Sequence, residues 1–239
     1  LALARVRGFS LSEVMDWVCE SAAQASLDFG LPTRLIVSVN RHESVEIAAQ
    51  VAELALQRME RGIVALDLAG NEAEFSALPF LDVFHAARNG GLKVTVHAGE
   101  WGGPGNVREA IEVFQADRIG HGVRVMEDPT VAAVARERQT VFEVCVTSNF
   151  QSGVVPTLNA HPIRRMLAEG LNVTVNTDDP SISQITLSDE YRVASEVFGL
   201  SRAALTGVIL AAARASFLSD AEKTGLLCRL TQEIDAAAG

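Results

Sequence analysis

The chain has 239 residues, a formal net charge of −10 and a hydrophobic content of 48%. That length allows one large domain or two small ones, with a sizeable buried core, and the acidic balance excludes nucleic acid and anionic membrane surfaces as expected partners, since both require clusters of Lys and Arg. No apolar run reaches the ~18 residues of a membrane span. Cys19, Cys145 and Cys228 are far apart and form no Cys-x-x-Cys pair, which argues against a disulfide framework and for a reducing, cytoplasmic setting.

The opening Leu1-Ala2-Leu3-Ala4-Arg5 has neither an initiator Met nor the layout of a signal peptide. Ser10 with Glu13 then forms a capping box, and Gly30 followed by Pro32 ends that helix. A β-branched apolar run predicts a strand over 35–40, and Ser44 caps a helical stretch closed by Gly62. Strands follow over 63–69 and 92–97, with a helix opened by Asn106 and Glu109 after them. A strand over 118–121 precedes a helix with Asp128 as cap and Pro129 at its first position. A strand over 141–146, a helix from Pro162 to about Gly170 and a strand over 171–177 come next. The chain ends in three helices over 188–198, 201–217 and 219–236.

Six strands in strict alternation with helices imply a right-handed parallel α/β fold. A closed barrel needs eight, and six would leave two apolar edges open. The sheet is therefore either open and doubly wound, or a barrel lacking two units; the non-Met start favours the second.

Three polar clusters close apolar strands: Val96-His97-Ala98-Gly99-Glu100, Arg118-Ile119-Gly120-His121-Gly122, and Val175-Asn176-Thr177-Asp178-Asp179-Pro180. Strand C-termini are where a parallel barrel places its chemistry. His97 and Glu100, across the turn at Gly99, pair a metal-ligand type with a proton carrier, the donor types of a metal-assisted hydrolase. They also read as a buried histidine and a glutamate opening a helix. His121 stands between two glycines that suit a tight turn or a backbone approaching a ligand. Asp178 and Asp179 are costly to bury together without a cation or donors, unless Asp179 merely caps the helix after Pro180. Gly70, in Asp67-Leu68-Ala69-Gly70, could present an amide to a ligand or simply turn the chain. Thr147-Ser148-Asn149 either lines the pocket or caps. The Gly-rich Trp101-Gly102-Gly103-Pro104-Gly105 lacks the Lys-Ser/Thr of a phosphate loop and reads as a mobile loop over the site. Cys145 reads as an ordinary buried cysteine, and His42, His85 and His161 are set aside as structural, with a place near the mouth as the alternative for His42, which follows a strand end.

In order along the chain, Asp67-Leu68-Ala69-Gly70, His97-Ala98-Gly99-Glu100, Arg118-Ile119-Gly120-His121-Gly122, Phe142-Glu143-Val144-Cys145, Thr147-Ser148-Asn149, Asn176-Thr177-Asp178-Asp179-Pro180 and Ala215-Ser216-Phe217-Leu218 resemble the adenosine deaminase family of zinc hydrolases. The resemblance covers nearly the whole chain. It implies a TIM-type (β/α)8 barrel with the strands here as its third to eighth, a single incomplete barrel domain over 1–239. It also implies that His97 and Asp178 ligate zinc, that Glu100 protonates N1 of the purine, and that His121 orients or deprotonates the metal-bound water. Asp179 would contact N7 and the Gly70 amide N3. Attack of that water at C6 would convert adenosine to inosine and ammonia. Adenine or another 6-aminopurine nucleoside is the alternative substrate. A silent relative that only binds purine nucleosides is the alternative function.

Two departures stand out. Where the family has Cys-Pro, this chain has Cys145-Val146. The family's His-x-His pair, which supplies two more zinc ligands from its first strand, has no counterpart here. Two ligands fall below the three typical of catalytic zinc, so the chain as written is expected to hold zinc weakly or not at all.

Overall fold

The computed structural model describes residues 2–237. They fall into two compact units that divide at Thr95 and Val96.

In the first unit, α1 (Ala2–Arg7) leads to α2 (Leu11–Phe29), which carries the predicted Ser10–Glu13 capping box and stops at left-handed Gly30. β1 (Leu35–Asn40), α3 (Val45–Leu56), β2 (Ile63–Ala69), α4 (Leu81–Asn89) and the first half of β3 (Lys93–Ala98) follow. β1 and β2 pair in parallel, with Ser38 opposite Asp67. The Asp67 carboxylate is buried and accepts the hydroxyls of Ser38 and Thr95 at 2.7 and 2.6 Å. Arg58, two residues beyond α3, forks onto Asp16 of α2 at 2.8 and 3.0 Å; this hydrogen bonding holds the Asp16 carboxyl below its ordinary range. Gly62 closes a short 3-10 turn, Met59–Arg61, beyond the end of α3.

The second unit contains the remainder of β3, then α5 (Pro104–Glu112), β4 (Arg118–His121), α6 (Pro129–Glu137), β5 (Val141–Val144), α7 (Val146–Gln151), α8 (Ile163–Ala168) and β6 (Asn172–Val175). α9 (Pro180–Ser183), α10 (Leu187–Glu196), α11 (Arg202–Ala215) and α12 (Asp220–Ala236) complete it. β5 lies between β4 and β6, with Phe142 opposite both Ile119 and Val173. All three are buried, together with Val107, Ile111, Val131, Ile163 and Met166 of the covering helices. Arg118 ties the start of β4 to the end of α11, donating to the Ala215 carbonyl at 3.1 Å and stacking 3.8 Å above the Phe217 ring.

The strands are ordered β1-β2-β3 in the first unit and β3-β4-β5-β6 in the second, as in the chain. A doubly wound sheet reverses its order at a switch point; here there is no reversal, and the architecture is that of a partial (β/α) barrel. No described helix is long and apolar enough to cross a membrane.

Several boundaries differ from those expected. α5 opens at Pro104 rather than Asn106, because extended Gly103 precedes a proline suited to the first helical position. β5 stops at Val144, where the chain turns into α7. β6 stops at Val175, and α10 begins one residue early on a Thr186–Asp189 capping box.

Candidate active site

The second unit brings together the polar ends of β3, β4 and β6. The His97 and His121 rings lie with centroids 5.2 Å apart and planes inclined at 61°. A Cβ on Gly120 would come within 3.0 Å of the His97 ring, and one on Gly122 within 2.2 Å of Phe142. The two glycines flanking His121 therefore make room for side chains of the neighbouring strands.

His121 and Asp178 both adopt left-handed backbone, with φ of +60° and +56°. Such a conformation costs a non-glycine residue of order 1–3 kcal/mol and persists where surrounding structure imposes it. Here the constraints are visible. His121 Nε2 lies 3.4 Å from Glu100 Oε2 and 3.9 Å from Asp178 Oδ2, and its Nδ1 is 3.1 Å from Asn149 Nδ2. Ser148 Oγ donates to Asp178 Oδ2 at 2.7 Å. The His121 side chain is 3% exposed, that of Glu100 12% and that of Asp178 31%, so the imidazole lies deepest and the carboxylates lie nearer the surface. Asp179 is exposed; its carbonyl accepts the amides of Ile182 and Ser183, but its side chain makes no capping bond to α9. Capping does not account for its carboxylate.

Ser148 and Asn149 reach the site because β5 gives way to α7 immediately after Cys145. The cause is Glu190 of α10. Its carboxylate is fully buried and accepts the amides of Val146 and Thr147 at 3.1 and 3.0 Å, capping α7 from outside. Burial pushes the Glu190 carboxyl up, against the lowering effect of those amides. A proline at 146 would have no N–H to give, so the departure from Cys-Pro adds a hydrogen bond.

Gly70 belongs to the first unit. It ends β2 with φ +97°, and a Cβ there would lie 3.2 Å from both the Arg41 amide and the Asn40 side chain. His42 and His85 are exposed, and His42 Nε2 lies 3.5 Å from Glu43 Oε1. In the Gly-rich run, Arg124 donates to the Trp101 carbonyl at 3.1 Å and Pro104 already begins α5.

His161, set aside in the sequence, is buried here, with Nε2 3.2 Å from Asn149 Oδ1. Glu190 was not singled out either. Its signal was an acidic residue in one stripe with Ala194 and Phe198, four residues apart and both buried.

Donor atoms of His121, Cys145 and Asp178 lie within 4.8 Å of one another. Burial pushes the Cys145 thiol well above its ordinary value, with the Asp178 charge adding to the effect, which disfavours the thiolate that ligates metals. His121 already has Nδ1 against Asn149 and Nε2 toward two carboxylates. The chemistry of the Asp178 carboxylate and the His97 imidazole fits zinc, whose usual ligands include both.

The family model described as adenosine deaminase matches residues 2–233. An adenosine deaminase of Klebsiella pneumoniae (strain 342) is 37% identical over 230 residues, covering 96% of this chain and 69% of the relative. The crystal structure of an adenine deaminase from Arthrobacter aurescens superposes with a TM-score of 0.90 at 32% identity, over 97% of this chain and 70% of that one. An amidohydrolase from Burkholderia ambifaria with bound zinc matches with a TM-score of 0.92 at 25% identity, over 98% of this chain and 66% of that one.

Proposed function

Because the chain belongs to the adenosine deaminase family and is that of a hydrolase, we propose that the protein removes the 6-amino group of adenosine by hydrolysis, giving inosine and ammonia, with zinc as cofactor in a cytoplasmic setting. The observation that carries this reading is the approach of Glu100 and Asp178 to His121 at strand ends, 3.4 and 3.9 Å away.

His97 and Asp178 are the proposed zinc ligands of this segment. Bound zinc would supply a nucleophile at neutral pH, by lowering the pKa of a water from ~15.7 toward ~7. The remaining work falls to side chains. Glu100, largely enclosed, delivers a proton to N1 of the purine, which draws electron density from C6 and opens it to attack. His121 holds the attacking oxygen beside C6, and Asp179 faces N7. The amine at C6 leaves as ammonia once protonated.

The adenine deaminase among the structural relatives supports a second reading, in which the free base is the substrate. Ammonia release from adenosine and from adenine, measured on the full-length protein with zinc added, tests both. Faster turnover of adenosine is expected; preference for adenine would establish the second reading. No release from either would leave a purine binder without turnover.

A further inference from the structure

We infer that Asn149 and His161 are positioning residues that hold His121 in the tautomer with its proton on Nε2, so that this N–H points toward the reacting centre.

One group in this relay has a role that cannot change. The backbone amide of Ile163 donates to His161 Nδ1 at 3.1 Å. An amide N–H only donates, so Nδ1 bears no proton and the neutral ring carries its hydrogen on Nε2. That N–H donates to Asn149 Oδ1 at 3.2 Å. The carboxamide is thereby turned so that Nδ2 donates to His121 Nδ1 at 3.1 Å. A nitrogen that accepts carries no proton, and the His121 hydrogen is left on Nε2.

The relay has no substitute from solvent. His161 is 4% exposed, Asn149 0% and His121 3%. Burial holds the His161 pKa down to about 4, which keeps that ring neutral near pH 7. Asn149 is also fixed through its backbone, since its amide donates to Cys145 O at 2.9 Å and its carbonyl accepts Val155 N–H at 3.0 Å.

At the reacting centre this makes His121 Nε2 a donor. It can hold the oxygen that attacks C6 and stabilise negative charge as it develops there. What His121 faces rests on the deaminase reading; its tautomer does not.

The test is a two-bond proton–nitrogen correlation spectrum of the full-length protein labelled with 15N-histidine, which shows which ring nitrogen of His121 bears the proton. Nε2 is expected. Asn149→Asp replaces the donor facing His121 by an acceptor and is expected to move the proton to Nδ1. With it, kcat should fall roughly 10²-fold while KM stays within about threefold. His161→Gln can still donate to Asn149 and is expected to retain the Nε2 proton, whereas His161→Leu is expected to lose it. A native ring protonated on Nδ1 overturns the inference, as does an Asn149→Asp protein that remains protonated on Nε2. An Asn149→Asp protein whose proton moves with kcat unchanged removes the role in turnover. The native spectrum needs neither a folded variant nor a substrate. Failure to deaminate any purine, with the proton on Nε2, would remove the proposed function and leave the positioning intact.

Discussion

Glu190 accepts the backbone amide of Val146 at 3.1 Å, a bond that a proline at position 146 could not donate. Thr147 N–H supplies the second bond, at 3.0 Å. Glu190→Ala leaves both amides without their acceptor and should cost roughly 2–5 kcal/mol in denaturant unfolding of the full-length protein. Val146→Pro keeps Thr147 on Glu190 and places proline at a first helical position, so its cost should stay within about 1 kcal/mol. Equal costs for the two variants would mean that Glu190 does not hold α7.

Buried His161 sets an acid limit. Its pKa is lowered from 6.5 to about 4 in the folded protein, so between these values the unfolded chain binds more protons than the native one. Stability then rises with pH across that window, and is lost as pH falls from 6.5 toward 4, by roughly 3 kcal/mol at full extent. Glu190 has the opposite sign. Its raised pKa stabilises the fold below 4.5, and that contribution is lost as pH rises through the shifted value. Chemical unfolding at a series of pH values should show a flatter acid limb for His161→Gln; an unchanged limb would place the acid sensitivity elsewhere.

Glu100→Gln preserves shape and removes the transferable proton. Ammonia release should drop by ~10²–10⁴ while the melting temperature and metal content hold. Turnover close to that of the parent protein would remove Glu100 as the acid.

Metal content separates the two donor groupings at the site. Asp178→Ala should lose the metal, whereas Cys145→Ser should keep it, because that thiol is held protonated by burial. Loss of metal from Cys145→Ser, read by elemental analysis, would instead assign the ion to the His121, Cys145 and Asp178 group.

Ser148 supports Asp178 through one hydrogen bond to its carboxylate, at 2.7 Å. Ser148→Ala should weaken metal affinity by about 10–100-fold in a chelator competition, the usual effect of losing a partner that orients a ligand. Unchanged affinity would show that the left-handed turn at Asp178 is enough to aim it.

The residues that local rules govern were legible in the sequence. β1, β2 and β4 begin and end where the apolar runs do, and the Ser10 capping box forms as expected. His97, Glu100, His121 and Asp178 fall at strand ends because each follows directly on a run whose period fixes the strand. His161 was not legible. It lies before a proline in an irregular segment, and nothing within a few residues marks it as buried. The glycines beside His121 were legible as special positions, but their cause, the His97 ring and Phe142, comes from neighbouring strands.

Sequence by itself determined the alternation of strands and helices, the caps, and the placement of acidic and histidine groups at strand C-termini, since hydrophobic period and capping act over a few residues. Only tertiary structure decided how those groups are oriented. Asn149 meets His121 across 28 positions of chain, and Glu190 meets Val146 across 44. A hydrogen bond depends on distance and direction between atoms, and separations of that length acquire both only when strands and helices pack.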